Sequence, residues 1–515
     1  MSLAVRLRKN AAKRLKKNQS LMPEIRLSEM IPTRWRIKKM KLKKITAAVL
    51  GAFMTIPSLT AFVSNADDLA GPTDVIADGS FQYSKVDEGL IITKCIADLI
   101  TEIPDVQNGV RIVGIGDEAF AGCDGIAEII IPDTVKSIGN NAFLGCTGAK
   151  KIKLSKNLET LGENAFAGCS KVESVEISAS IGEIPAGTFR KCDRLKEVVI
   201  PDNITKIGDY AFYQCTSLSE VKLPDSLVSI GDMAFGEMLS INSFDAEGCG
   251  AFVCEDNMLM DAHKSEVICG VSKLEGAIAI PSTVTLVRAG AFSACPGITE
   301  LTIPGSVKKI EYGAFASQTL GAAGIGSSLA KINFSEGIEY IGEGAFSFSS
   351  VESLLLPSTL NEIAAGAFSA NYKLNRIVIP EGVEIIGESA FMYCPELKNV
   401  SIPKSVKTIG ANAFGFTASE GQLVKVEDFS MSVVSGTAGE KYAKSSSLDY
   451  TISDKNIKRI AFIVISVGLI AAAVVFGIVL MARAKKRASS GAKKANALAK
   501  EQEEEANYEK IVGDD

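Results

Sequence analysis

The 515-residue chain carries 55 Lys and Arg against 60 Asp and Glu, with one His and one Trp, and 47% of its residues are hydrophobic. The acidic excess lies in residues 45–454, which hold 51 acidic and 29 basic side chains and so have a net charge of −22. This charge argues against nucleic acid as a partner, because such binding requires Lys and Arg to neutralise phosphates. With His263 as the one His, a Ser/His/Asp or Cys/His catalytic group is also disfavoured, and we expect a non-catalytic protein without cofactors.

Residues 1–66 are predicted to form a basic leader followed by a secretion signal. The apolar stretch 45–63 follows the basic sequence KKMKLKK, and the small residues Ser64 and Ala66 come just before Asp67. We expect cleavage near Asp67, with an uncleaved membrane anchor as the alternative. An ordinary signal peptide would begin at Met40, so Met40 is the predicted start, and residues 1–39 are an extension or a cytoplasmic leader.

Residues 67–108 are predicted to be an N-terminal cap, and residues 109–245 a first block of repeats. An aromatic residue recurs there every 23 residues, usually after Ala, at Phe120, Phe143, Phe166, Phe189, Phe212 and Phe235. A fixed period of this length is typical of a solenoid, in which each unit buries its apolar side against its neighbours.

One unit, residues 195–217, reads LKEVVIPDNITKIGDYAFYQCTS. Its LxxVxIP segment alternates apolar and polar residues, which predicts a short strand that ends at Pro201 because proline has no N–H for the ladder. The IxxIG segment predicts a second short strand with a tight turn at Gly208, and AFxxC fits one helical or 3₁₀ turn. We predict a repeat solenoid of short parallel strands with irregular or short helical turns, and with the repeat Phe in the core.

This unit closely resembles the 23-residue leucine-rich repeat of BspA-like bacterial surface proteins. The resemblance covers roughly residues 109–429, and segments such as VKSIGNNAFLGC (135–146) and VEIIGESAFMYC (383–394) follow the pattern almost position by position. It implies a curved leucine-rich solenoid that a bacterium displays on its surface for binding or adhesion, without enzymatic activity. It does not name the ligand.

Residues 246–286 are predicted to form an irregular, strand-rich insert, and residues 287–429 a second repeat block. The second block continues the pattern at Phe292, Phe315, Phe346, Phe368, Phe391 and Phe414. The insert also holds four carboxylates near His263, namely Glu255, Asp256, Asp261 and Glu266. They could be read as a cation or glycosidase site, but a polar hairpin explains them more simply.

Seven of the eleven cysteines stand three residues after a repeat Phe, at Cys123, Cys146, Cys169, Cys192, Cys215, Cys295 and Cys394. Stacked one per coil, they would point inward side by side, which favours small buried thiols over a disulfide ladder. Cys249, Cys254 and Cys269 belong to the insert and could pair there. A metal site is disfavoured because no CxxC spacing occurs.

Residues 430–455 are predicted to be a C-terminal cap and stalk, and residues 460–482 a transmembrane helix. The segment from Ile460 to Ala482 contains no charged residue and is long enough to cross a bilayer. Basic residues follow it directly. We expect a single-pass type I protein of the cell membrane with residues 483–515 as a cytoplasmic tail. No wall-sorting signal is apparent, so the helix itself is the expected anchor.

The surface predicted to meet a ligand is the outer face of the LxxVxIP strands. Its polar candidates are Glu128, Lys151, Lys153, Glu176, Glu197, Glu220, Lys222, Asp245, Glu300, Thr302, Lys331, Asn333, Arg376 and Asn399. These strand positions include no aromatic residue, so we expect an extracellular protein, such as a host matrix or surface protein, as partner rather than a glycan. The alternative is an envelope scaffold without an external ligand, and an enzyme acting on extracellular polymer is a third, weaker hypothesis.

Overall fold

A computed structural model describes residues 76–177, 180–316, 327–419 and 422–453. In this part the chain winds into a solenoid, and each regular coil contains two short strands followed by a turn segment. The coil of residues 195–217 has strands Glu197–Val199 and Lys206–Ile207, and the turn follows through Ala211 and Cys215. The predicted solenoid of parallel strands is therefore confirmed.

The LxxVxIP strands form a first strand row along one side of the solenoid. Val175 pairs with Ile152 on one side and Val198 on the other, so each rung is displaced by 23 residues. Its strands are Glu128–Ile130, Lys151–Lys153, Ser174–Glu176, Glu197–Val199, Glu220–Lys222, Ser243–Asp245, Glu275–Ala279, Gly297–Ile303, Lys331–Phe334, Ser353–Leu355, Arg376–Val378, Asn399–Ile402, Ser430–Val433 and Asp449–Ile452.

The IxxIG segments form a second strand row of two-residue strands. Its members are Ser137–Ile138, Thr160–Leu161, Glu183–Ile184, Lys206–Ile207, Ser229–Ile230, Leu286–Val287, Lys309–Ile310, Tyr340–Ile341, Glu362–Ile363, Ile385–Ile386 and Thr408–Ile409. A glycine follows seven of these eleven strands and allows close stacking there. A Cβ built on Gly208 would lie 2.5 Å from the backbone nitrogen of Ala186 in the preceding coil.

The turn side of the coils consists of irregular turns, in which bonds within the turn, such as Cys215 N–H to the Phe212 carbonyl at 3.1 Å, alternate with bonds between coils. The repeat Phe donates its N–H to the carbonyl of the residue that precedes the next repeat Phe, as from Phe143 to Ala165 at 2.7 Å and from Phe368 to Ala390 at 2.8 Å. Asn141, two residues before Phe143, adopts a left-handed φ of 54°, which interrupts helical geometry and directs the next N–H groups to the neighbouring coil. In the described residues the one helix is Ala438–Ser445.

The core contains two stacks of phenylalanine rings, one per block. Ring centroids lie 4.7–5.8 Å apart from Phe120 to Phe235, and 4.8–5.4 Å apart from Phe292 to Phe414. The rings of Phe143, Phe212 and Phe391 are buried. Each coil therefore adds one ring to a continuous apolar column.

The solenoid begins with the antiparallel strands Ile76–Ala77, Phe81–Val86 and Gly89–Cys95. The last of these pairs in parallel with Val110–Ile115, which also forms a hairpin with Val106–Gln107. Phe81 lies against Phe120 with ring centroids 5.6 Å apart, so this sheet covers the first ring of the stack.

The C-terminal end is covered by a hairpin, a helix and a strand. The hairpin joins Phe416–Ser419 to Gln422–Lys425, and helix Ala438–Ser445 precedes strand Asp449–Ile452. From this helix, the Tyr442 hydroxyl accepts the N–H of Phe414 at 2.8 Å and donates to its carbonyl at 2.9 Å. These bonds satisfy the backbone that a further coil would otherwise pair.

The insert is an expanded coil that stays within the solenoid. Strands Phe252–Glu255 and Met258–Asp261 form a hairpin, and Glu266–Gly270 pairs both with this hairpin and with Leu286–Val287 of the second row. Gly270 donates its N–H to the Ala291 carbonyl at 2.7 Å, the bond that a repeat Phe makes elsewhere. The coil thus keeps its strands but has no Ala-Phe turn.

Two predictions about targeting concern other parts of the chain. The secretion signal of residues 1–66 and the membrane helix of residues 460–482 lie outside the described residues. Within the described ranges, no helix has the length and apolar character needed to span a membrane.

Candidate binding surfaces

The predicted ligand-facing residues all lie on strands of the first row. The strand Glu197–Val199 shows the pattern, because Glu197 and Val199 are exposed and Val198 between them is buried. All fourteen candidates are exposed or half-buried in the same way. The row also exposes aliphatic side chains, with Ile130 47%, Leu355 51% and Val199 76% accessible.

Some of these candidates pair with one another along the row. Lys151 and Lys153 both lie close to Glu176, at 2.5 and 3.4 Å, and hydrogen bonding from Lys151 lowers the pKa of that carboxyl. Lys331 contacts Glu300 at 2.6 Å. These contacts are between exposed groups, so they contribute little to stability and remain open to exchange for a partner.

Other candidates have no ion pair or side-chain hydrogen bond in the described part of the chain. They are Glu128, Glu197, Glu220, Lys222 and Arg376. Their charges, together with the exposed aliphatic groups, give the row the mixed character of a protein-binding surface.

A second surface lies on the turn side of the solenoid and was not predicted from the sequence. We call it the tyrosine patch; its residues are Arg190, Tyr210, Tyr213, Glu237 and Tyr312. The rings of Tyr210 and Tyr213 meet edge to face with centroids 5.5 Å apart, and the Arg190 guanidinium carbon lies 5.7 and 5.4 Å from these centroids. Tyr210 and Tyr312 are 37% and 43% exposed.

A buried carboxylate holds the patch together. Tyr213 donates its hydroxyl to Glu237 Oε1 at 2.6 Å, and the Gln214 amide donates to Oε2 at 2.5 Å. Burial and the neighbouring Glu237 raise the pKa of Tyr213 well above its usual range. Burial, together with nearby Tyr210, raises the pKa of Tyr312, so both phenols stay neutral in ordinary buffers.

The patch forms beside the expanded coil, where an Ala-Phe turn is missing. Across this gap Glu237 donates its N–H to Ser293 Oγ at 3.1 Å. Arg288 donates to the Ile230 carbonyl at 2.9 Å and contacts Asp232 at 2.5 Å. The turns of Phe235 and Phe292 are thereby joined, and the second block is brought beside the tyrosines of the first.

A sequence signal for the patch does exist. In three coils of the first block, the second position after the repeat Phe is Gly122, Gly145 or Gly168, whereas the next two coils place Lys191 and Gln214 there. The strand pattern predicts ligand-facing positions on the strands, and it does not point to large side chains on the turns.

The carboxylates near His263 form a polar hairpin in the structure. Asp261 accepts N–H groups from His263, Ser265 and Glu266 at 3.2, 2.7 and 2.6 Å, and although burial opposes it, these bonds lower the pKa of Asp261. Glu255 pairs with Lys264 at 2.7 Å. Across the described residues, no group of three or more His, Cys, Asp or Glu side chains is placed to hold a metal ion.

The seven repeat cysteines are free thiols, and all of them except Cys123 donate to a backbone carbonyl. Cys146 donates to the Phe120 carbonyl at 3.0 Å, and Cys169 to that of Phe143 at 3.3 Å. Burial raises the pKa of Cys394 to about 12. All eleven cysteines are unpaired in the structure, and six of the seven in repeat positions are buried, while Cys123 is half-buried.

Comparison with known proteins identifies related chains. Among solved structures, a leucine rich cell surface protein from Faecalibacterium prausnitzii A2-165 is 25% identical, with a TM-score of 0.50 over 74% of this chain and 95% of its own. The pneumococcal vaccine antigen PcpA is 18% identical, with a TM-score of 0.45 over 74% of this chain and 99% of its own. A leucine-rich repeat protein from Eubacterium ventriosum is 21% identical, with a TM-score of 0.42 over 66% and 93%.

No curated protein matches the chain. The sequence profile of the BspA type Leucine rich repeat region matches in six copies, over residues 113–248, 265–325 and 323–426. These segments make up more than half of the chain and coincide with the coils described above. The chain therefore belongs to the BspA-type leucine-rich repeat family.

Proposed function

We propose that this protein is anchored in a bacterial membrane, displays its solenoid outside the cell and binds an extracellular protein without catalysing a reaction. The observation that carries the proposal is the first strand row. It presents charged and aliphatic side chains in register along the solenoid, and Glu197, Glu220 and Lys222 have no partner for their charges among the described residues.

The membrane part of the proposal rests on the sequence. A cleaved signal ending near residue 66 and a stop-transfer helix at 460–482 would give a type I topology with residues 483–515 in the cytoplasm. The name of the F. prausnitzii relative, a leucine rich cell surface protein, is consistent with display outside the cell.

A protein partner is favoured over a glycan because the strand row has no aromatic residue at its outward positions. The net charge of −22 over residues 45–454 disfavours nucleic acid. An envelope scaffold that binds components of its own cell wall is the competing function, and it uses the same surface.

The test is to express the full chain in a bacterium and to measure the accessibility of its solenoid to an external protease. Binding of purified full chain to a panel of matrix proteins is then compared with binding to the producer's isolated wall. We expect matrix-protein binding that falls at least about tenfold in Glu197→Arg and Glu220→Arg variants. Glu381→Arg, an exposed change on a corner, is the matched control.

Binding to the wall alone would favour the scaffold function. A chain whose solenoid is inaccessible from outside would contradict surface display. Hydrolysis of any member of a polysaccharide and peptide panel by the purified chain would contradict the absence of catalysis.

A further inference from the structure

The tyrosine patch contains a cation that is held in place but has no acceptor. Arg190 is exposed and lies over the rings of Tyr210 and Tyr213, and none of its guanidinium N–H groups has a hydrogen bond or ion pair in the described part of the chain. Stacking restricts a guanidinium group, so less freedom is lost when a ligand carboxylate binds it through two parallel hydrogen bonds.

The backbone beneath the patch adopts conformations that its side chains disfavour. Lys191, Tyr210, Gln214 and Glu237 have φ values of 61°, 57°, 60° and 54°, in the left-handed region that favours glycine. The equivalent of Tyr210 is a glycine, Gly187, one coil earlier. The same left-handed position recurs along the repeat, for example at Asn141 and Ser389, so what distinguishes the patch is that its left-handed residues Tyr210 and Gln214 carry large side chains that take part in it.

The composition of the patch matches an interface hot spot. Tyrosine and arginine dominate such sites, and here two partly exposed Tyr rings flank a buried Tyr–Glu hydrogen bond that fixes their arrangement. At the turn position of Gln214, two preceding coils have Gly145 and Gly168, which carry no side chain, so the patch projects above the turns of those coils. Such a face suits a protein better than an oligosaccharide, which binds in a groove.

We propose that the tyrosine patch is the anchoring point for the extracellular protein partner, and that the partner presents a carboxylate to Arg190 and an aromatic or aliphatic group to Tyr210 and Tyr312. The exposed Lys191, next to Arg190 in the chain, adds a second positive charge. This inference rests on the proposed protein-binding function and names the chemistry of the partner's contact segment.

The probe for the test is a random copolymer of glutamate and tyrosine, bound to immobilised full-length protein. A copolymer of lysine and tyrosine and the uronic acid polymer polygalacturonate are the comparison probes. Because residues 45–454 are strongly acidic overall, binding of a polyanion requires a local site. We expect the glutamate–tyrosine copolymer to bind and the other two probes to bind at least about tenfold more weakly.

Two variants locate the binding. Arg190→Lys keeps the charge but loses the planar fork and its stacking, and we expect at least about a tenfold loss of copolymer affinity. Tyr210→Gly removes a ring and relieves the left-handed strain, so it should weaken binding to the same extent while the thermal midpoint stays equal or rises. Ser389→Gly, the same left-handed position in the second block, should leave binding unchanged.

Copolymer binding that is unaffected by Arg190→Lys and Tyr210→Gly would overturn the inference. Binding of polygalacturonate with the same dependence on Arg190 would also overturn it, because the ligand would then be a glycan. If matrix-protein binding depends on Glu197 and Glu220 but not on Arg190, the patch is rejected while the proposed function stands.

Discussion

The two repeat blocks share one aromatic core but differ in the polar groups at its edge. In the first block the position three residues after the repeat Phe is a cysteine in successive coils, and its thiol donates to a backbone carbonyl, as in Cys169. In the second block two coils keep a cysteine at this position, Cys295 and Cys394, while two others hold Ser349 and Asn371. The Asn371 amide donates to the carbonyls of Phe346 and Phe368 at 2.9 Å each, but its Oδ1 and Ser349 Oγ have no partner among the described residues.

This difference extends to the rest of each block. Buried side-chain oxygens without a partner in the described residues are Asn203 Oδ1 in the first block and Ser306 Oγ, Ser349 Oγ, Ser369 Oγ, Asn371 Oδ1 and Ser405 Oγ in the second. An unsatisfied buried polar group costs about 1–3 kcal/mol. The comparison therefore indicates that every regular coil keeps its stacked ring while buried polar positions vary, and we expect the unpartnered oxygens to make the second block less stable.

The largest effect is expected from removing a stacked ring. Phe212→Ala should lower the free energy of unfolding by about 3–5 kcal/mol, because the ring is fully buried between Phe189 and Phe235. Native-state hydrogen exchange of the repeat Phe amides provides the measurement, since the amides from Phe120 to Phe212 and from Phe292 to Phe391 bond across a coil junction. Protection from hydrogen exchange should be lost first in the coils next to the substitution.

The matched comparison is Phe391→Ala in the second block. The same loss of stability should open more coils there, because we expect the junctions between coils of the second block to be weaker. Val199→Ala, at an exposed position, is the control and should change stability by less than about 0.5 kcal/mol. Equal, small losses for both phenylalanines would show that the stack is not the common core of the blocks.

The next largest effect is expected from substituting the glycines that follow strands of the second row. Gly208→Ala and Gly387→Ala should each cost about 1–3 kcal/mol, because the new methyl would lie 2.5 and 2.3 Å from backbone nitrogens of the preceding coil. Gly182→Ala is the control, since its Cβ would meet nothing within 4 Å. Denaturant unfolding monitored by circular dichroism measures the difference, and equal effects at all three sites would contradict close stacking at the corners.

Substitution by Ala at the position three residues after the repeat Phe should change the free energy of unfolding in opposite directions in the two blocks. Cys169→Ala removes a thiol–carbonyl hydrogen bond and should cost about 1 kcal/mol, whereas Ser349→Ala removes an unpartnered hydroxyl and should gain about 1 kcal/mol. Hydrogen exchange gives the free energy of local opening in each block and so measures the effects of the two variants separately. A loss of stability in both variants would show that Ser349 has a favourable interaction and would remove the contrast between the blocks.

The smallest effect concerns a left-handed residue. Ser389→Gly should stabilise the protein by about 0.5–1 kcal/mol, since a φ of 57° is strained for Ser, and the entropy cost of Gly offsets part of the gain. Ser401→Gly within strand Asn399–Ile402 should instead destabilise it by a similar amount. Thermal midpoints of the two variants should therefore move in opposite directions.

Much of the fold follows from the sequence because a repeat converts one local pattern into a global one. Once the period of 23 residues is recognised, equivalent residues must stack, and this predicts the first strand row, the Phe column and the inward cysteines. The alternation around Val198 likewise predicts that Glu197 and Val199 face outward, as the structure shows. Each of these features depends on contacts between identical positions of adjacent coils.

The turn geometry and the tyrosine patch were decided by the tertiary structure. A segment such as AFxxC has the length of a helical turn, but the left-handed residues Tyr210 and Gln214 direct alternate N–H groups to carbonyls of the next coil, so the backbone forms an irregular turn rather than a helix. The patch unites Tyr213 with Tyr312, which are far apart in sequence and occupy different repeat positions. They approach because the expanded coil lacks an Ala-Phe turn, and a periodic pattern carries no information about contacts across a coil that breaks the period.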